Sequence, residues 1–164
     1  MIPLANALVD VGDGISKTRL LREYALRGSL NPMIRDIAVE LVRSARRDDH
    51  PERLARLHRF VRDSVPYHRE PVEMFHHPVV TVQNGGDCDD HASLLCALAW
   101  SLRYPWLLEA VGKEDDPDHY TTQLGWPPND AMSGDAQTRW RSYETTVDAL
   151  PGEHAQRAAR RLGL

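Results

Sequence analysis

The run Ala92-Ser93-Leu94-Leu95-Cys96-Ala97-Leu98-Ala99-Trp100-Ser101-Leu102 constrains the fold more than any other part of the chain. It is rich in good helix formers, and its apolar residues leave no polar stripe around the helix. Such a helix is stable only when other elements cover it on every side, so it has to be the central, buried one. Gly85-Gly86-Asp87 precedes it and Pro105 ends it. Cys88 stands at its entry, within Gly85-Gly86-Asp87-Cys88-Asp89-Asp90-His91. A thiol in a first helical turn meets unpaired backbone N–H groups and the positive end of the peptide dipole. Both favour the thiolate, which is the nucleophilic form. Gly85 and Gly86 permit a sharp turn and leave space beside the sulfur. The plainer alternative is that Gly-Gly-Asp caps a core helix and Cys88 is one more small buried residue.

Around that helix the periodicity changes once along the chain. Residues 1–15 read as an irregular arm. Leu20, Leu21, Tyr24 and Ala25 recur at helical spacing from Ser16, and Gly28 follows as a stop. Asn31-Pro32 is an N-cap with proline at the first helical position, followed by the stripe Met33, Ile34, Ile37, Ala38, Leu41 and Val42. Leu54, Leu57, Phe60 and Val61 make a third stripe ending near Val65-Pro66. Residues 66–84 read as loop, with Val79, Val80 and Val82 as a short extended piece. Beyond Pro105, Trp106–Gly112, His119–Leu124 and Trp140–Val147 read as strands, 125–138 as a loop, and the tail from Glu153 as a short helix. The chain is thus expected to be a single α+β domain over 1–164, with a 1–15 arm, a 16–65 helical lead-in and a 79–152 core.

The 164 residues, 41% hydrophobic and 27% charged, suit one soluble domain. A net charge of -4 gives no electrostatic footprint for nucleic acid. No apolar run reaches the roughly 18 residues of a membrane span. The N-terminus lacks an initial basic region and carries Asp10 and Asp13 within its mildly apolar part, which does not read as a secretory signal, so a cytoplasmic location is expected. The two cysteines, Cys88 and Cys96, lie roughly 12 Å apart along one helix, beyond the reach of a disulfide. Two free thiols fit a reducing compartment.

A cysteine nucleophile needs a base within hydrogen-bond reach, and the base needs an orienting partner. Of the eight histidines, His91 shares the helix of Cys88 and cannot easily enclose a substrate with it. His119 opens a strand that can pack on that helix and present its ring to the sulfur. The third strand offers Glu144, with Asp148 as the alternative acid; either would fix the imidazole tautomer. The competing reading of Glu144 is a solvent-facing strand residue. A metal rival would use Cys88, His91, His76 and His77, or a hard cation on Asp87, Asp89 and Asp90, but neither has a strong ligand spacing.

The order of these elements resembles the transglutaminase-like superfamily, and within it the short bacterial and phage-borne transglutaminase-like cysteine peptidases. The resemblance covers roughly residues 16–152. It rests on Gly86-Asp87-Cys88-Asp89-Asp90 as nucleophile motif, on His119-Tyr120 at the base position, and on Glu144-Thr145-Thr146 where the family most often has Asp-x-Thr. The segment Phe60-Val61-Arg62-Asp63-Ser64-Val65-Pro66-Tyr67 is also similar to a family segment. The chain departs from the pattern in having Glu at 144, His at 91 where Lys is frequent, and a long loop at 125–138 instead of a tight hairpin. The resemblance implies a papain-like α+β core and acyl transfer to Cys88 through a thioester, with His119 as base and Glu144 as orienting acid. The oxyanion would be held by the Cys88 N–H and by Gln83. The implied activity is a cysteine peptidase or amidase acting on a peptide or protein, with no cofactor. A cross-linking transglutaminase and a non-catalytic assembly module of phage origin are the alternatives. The loops 66–84 and 125–138 are expected to line the cleft.

Overall fold

A computed structural model describes residues 14–70, 74–112 and 117–146. Five helices and a three-stranded antiparallel sheet form an α+β arrangement among them. The helices are α1 (Gly14–Ser29), α2 (Pro32–Val42), α3 (His50–Ser64), α4 (Pro78–Asn84) and α5 (Cys88–Ser101). The strands are β1 (Trp106–Gly112), β2 (Pro117–Trp126) and β3 (Arg139–Tyr143), in the spatial order β1-β2-β3.

The helix that is apolar nearly all round is the centre, as its composition demands. Leu94, Leu95, Cys96, Ala97, Leu98 and Ala99 of α5 are fully buried. Helices α1, α2, α3 and α4 pack on it, and β2 and β1 cover the remaining side. The amphipathic stripes supply the other half of each contact: Ala25 from α1, Ile34, Ala38 and Val42 from α2, and Leu54, Leu57 and Val61 from α3 all join its cluster. Local chemistry sets the helix starts. Asn31 accepts the Met33 N–H at 2.9 Å with Pro32 at the first position, and Asp49 accepts the Glu52 N–H at 3.2 Å ahead of α3.

Two expectations need correction. The valine-rich piece 79–82 is not extended but lies within α4. Pro78 begins that helix, and the His77 ring accepts the Val79 N–H at 3.3 Å as its cap. Val79 and Val82, at i and i+3, both turn onto the core, so packing overrides the strand preference of valine. The third strand also stops at Tyr143 instead of running to Val147. Its last ladder pair is Thr122 with Tyr143. Val147, Asp148, the tail from Glu153 and the first 13 residues lie outside the described residues.

The loop 125–138 does not stand by the nucleophile. It leaves β2 at Trp126, while His119 lies near the strand's other end, roughly 20 Å away at about 3.3 Å per residue. There the loop folds back on the start of β1, with the Trp106 N–H donating to the Met132 carbonyl at 3.0 Å. Residues 66–68 do run beside the entry to α5. Tyr67 forms a parallel bridge with Gly86, His68 N–H donates to Gly86 O at 3.0 Å, and Gly86 N–H donates to Pro66 O at 3.1 Å.

Candidate active site

Cys88 is the first residue of α5 and is half-buried, whereas Cys96, two turns on, is buried. Asp87 caps the helix in extended backbone, its side chain accepting the Asp89 N–H at 3.3 Å. Gly85 adopts φ 82°, and a Cβ there would lie 2.3 Å from the Pro66 carbonyl oxygen. Glycine is therefore required for the chain to turn into α5 while pairing with 66–68.

His119 comes from the start of β2. Tyr120 and Thr122 of that strand pack on α5: Tyr120 clusters with Ala92, and the Thr122 hydroxyl donates to the Ala92 carbonyl at 3.4 Å. This docking carries His119 to the N-terminal end of α5. There Cys88 acts on its ring as a neighbouring hydrogen-bond and charge partner that favours the protonated form. The other ring face of the arrangement belongs to Glu144, whose Oε2 is 2.5 Å from His119 Nε2. With Nε2 engaged by the acid, Nδ1 is the nitrogen left for sulfur chemistry.

Glu144 is fully buried, so the solvent-facing reading of this residue does not hold. It sits one residue past the end of β3, and each carboxylate oxygen is used. Oε1 accepts the Thr146 N–H at 2.8 Å and the Thr146 hydroxyl at 2.7 Å, while Oε2 faces His119. Burial works to raise its pKa, but the His119 bond and charge and the two Thr146 bonds outweigh it, and the carboxyl is held below its ordinary range. For His119, burial disfavours the charged ring; hydrogen bonding and charge from Cys88 and Glu144 win, and its pKa is pushed up to about 10. The ring is thus held towards the imidazolium form at neutral pH, beside the Glu144 carboxylate. Asp148, the alternative acid, lies outside the described residues. Gln83 is on the last turn of α4 with its side chain exposed. No hydrogen bond joins it to Cys88 or His119 among the described residues.

The histidines of the metal rival are dispersed. His77 caps α4. His91 is buried beside the Pro66 carbonyl, 3.3 Å from its Nε2, with its ring edge-on to Tyr67. His76 Nδ1 is 2.6 Å from Asp90 Oδ2, and its backbone N–H donates to Asp90 Oδ1 at 2.7 Å. Glu70 approaches the other ring nitrogen of His76 at 3.4 Å. Glu70, His76 and Asp90 bring candidate ligand atoms within 4.8 Å of one another, as do Asp87, Asp89 and Asp90. Both Asp90 oxygens already accept from His76, so the first group is held together as a hydrogen-bonded clamp. It ties the 74–77 segment to α5 two residues past the sulfur. Burial raises the pKa of Asp89, and neighbouring Asp87, Asp90 and Cys88 push the same way, so Asp89 is the acid of this cluster that keeps its proton.

Two features of the site are absent from sequence reasoning. Thr146 as an anchor for the acid is visible only as the last letter of Glu-Thr-Thr. His58 of α3 donates from Nε2 to the Glu144 carbonyl across 86 residues of sequence. The one sequence signal for it is its place on the apolar stripe, four residues after Leu54 and three before Val61.

No family model, curated protein or solved structure matches the chain.

Proposed function

We propose that this chain is a thiol-dependent acyl-transfer enzyme, most simply a cysteine peptidase or amidase of the transglutaminase-like type with a papain-like core. The observation that carries the reading is the fully buried Glu144 carboxylate bound to His119, a ring that Cys88 also influences from the first turn of α5. A lone cysteine at a helix start is common; a cysteine, an imidazole and a buried orienting carboxylate in series are the parts of an activated nucleophile.

The chemistry follows from the geometry. The Cys88 thiolate attacks an amide carbonyl with the His119 imidazolium as its counter-ion. The oxyanion forms next to the first turn of α5, where the Cys88 N–H has no intrahelical acceptor. The exposed Gln83 amide is the proposed second donor. His119 then gives its proton to the leaving amine, the C–N bond breaks and a thioester remains on Cys88. Neutral His119 next takes a proton from water, the resulting hydroxide equivalent cleaves the thioester, and the thiolate–imidazolium pair is restored. Glu144 keeps its charge throughout and holds the ring with Nε2 protonated. An amine replacing water at the second step would give transamidation from the same site.

The test is an electrophilic activity-based probe together with peptide and isopeptide libraries, comparing wild type with Cys88→Ala. Cleavage or amine incorporation lost in the variant supports the reading, and the product distinguishes hydrolysis from cross-linking. A wild type inert to probe and libraries, with Cys88 no more reactive than a thiol in unfolded chain, would leave a binding or assembly module.

A further inference from the structure

We propose that His58 is a positioning residue for the acid, its Nε2–H holding the Glu144 backbone carbonyl and so fixing where the carboxylate meets His119. The ladder between β2 and β3 ends at Tyr143, which leaves the Glu144 carbonyl without a strand partner. A buried carbonyl of that kind needs a donor, and His58 is the one that supplies it. A carbonyl only accepts, so the proton must be on His58 Nε2. The ring is fully buried on the inner face of α3, edge-on to the Tyr143 ring with centroids 5.3 Å apart and planes at 63°. That contact sets the ring plane, and the bond sets its reach.

His58 Nδ1 is buried with no partner, a cost that an aliphatic side chain of similar size would avoid. Packing alone therefore does not account for histidine here; the bond to Glu144 does. Three groups then define the acid: His58 at its carbonyl, Thr146 at Oε1 and His119 at Oε2. Since Oε1 is tied to a residue only two positions on, the backbone anchor decides how closely Oε2 can approach the ring. The service to acyl transfer rests on the function proposed above, whereas the effect on the His119–Glu144 contact does not.

Two measurements test this. Long-range proton–nitrogen NMR on the wild type should show His58 as the neutral Nε2–H tautomer; an Nδ1–H tautomer would overturn the proposal. His58→Leu and His58→Gln are then compared, because the glutamine amide keeps a donor near the position of Nε2. In His58→Leu the His119 ring, followed by NMR, should titrate about one pH unit lower. His58→Gln should titrate within about 0.3 pH units of wild type at His119. A folded His58→Leu with wild-type His119 titration, or a glutamine variant as impaired as the leucine one, refutes the positioning role. If His58→Leu does not fold, the wild-type tautomer and the His58→Gln titration decide the matter. If wild-type Cys88 reacts no faster than in urea-unfolded chain, acyl transfer fails as a reading while the His119 titration still judges His58.

Discussion

Cys88 and Cys96 show how one residue type takes opposite characters on a single helix. Cys96 lies in the core, 3.8 Å from the Thr122 hydroxyl, and burial raises its pKa far from the neutral range. Cys88 is half-buried at the helix entry, beside a ring carried as imidazolium. Iodoacetamide should accordingly label one thiol per native chain and two in urea, with Cys88→Ala abolishing the native label; mass spectrometry reads all three results. The acid can be tested without changing its shape. Glu144→Gln should lower turnover of any substrate found by roughly 10²-fold or more, because the amide can no longer stabilise the imidazolium. A variant within a few-fold of wild type would remove Glu144 from the mechanism.

At the scale of elements, the entry to α5 depends on close backbone packing. A Cβ on Gly86 would lie 2.3 Å from Asp90 Oδ2, and that oxygen cannot move aside freely because His76 holds it. Gly86→Ala should therefore destabilise the fold by about 1–3 kcal/mol, measurable as a lower urea midpoint, and should also slow Cys88 alkylation. Unchanged values in both assays would mean that the 66–68 and 85–87 segments part easily. The helical identity of α5 is legible in its letters, as are the stripes of α1, α2 and α3. The identity of α4 is not, since valines favour strands and only the Pro78 start and the core contacts of Val79 and Val82 make it helical. The end of β3 was equally hidden: Thr145 and Thr146 are good strand residues, yet Glu144 leaves the ladder for His58 and Thr146.

Across the whole molecule, the His119–Glu144 pair links the sheet's free end to folding stability. The folded pKa of His119 is raised from 6.5 to about 10, so its contribution is complete below pH 6.5 and is lost as the pH climbs through about 10. The Glu144 pKa is lowered from 4.5, so its contribution is complete above pH 4.5 and is lost as the pH falls. The difference in Tm between wild type and His119→Ala should be widest between about pH 4.5 and 6.5 and narrow on both sides. A difference that grows steadily towards pH 10 would contradict the pairing. Among the described residues, no helix is long and apolar enough to cross a membrane.

The sequence by itself determined that a helix apolar nearly all round would be central, that Cys88 would stand at its first turn, and that a strand bearing His119 would follow. These are consequences of periodicity, capping and strand propensity, which act over a few residues. Only the tertiary structure decided that Glu144 is buried instead of solvent-facing, that it lies one residue past β3, that α4 is a helix, and that 125–138 lies at the far end of β2 from His119. Each depends on partners distant in sequence: His58 for the Glu144 carbonyl, the core cluster for Val79 and Val82, the start of β1 for Met132. Burial and backbone satisfaction are settled between elements, so they become readable only once the elements have docked.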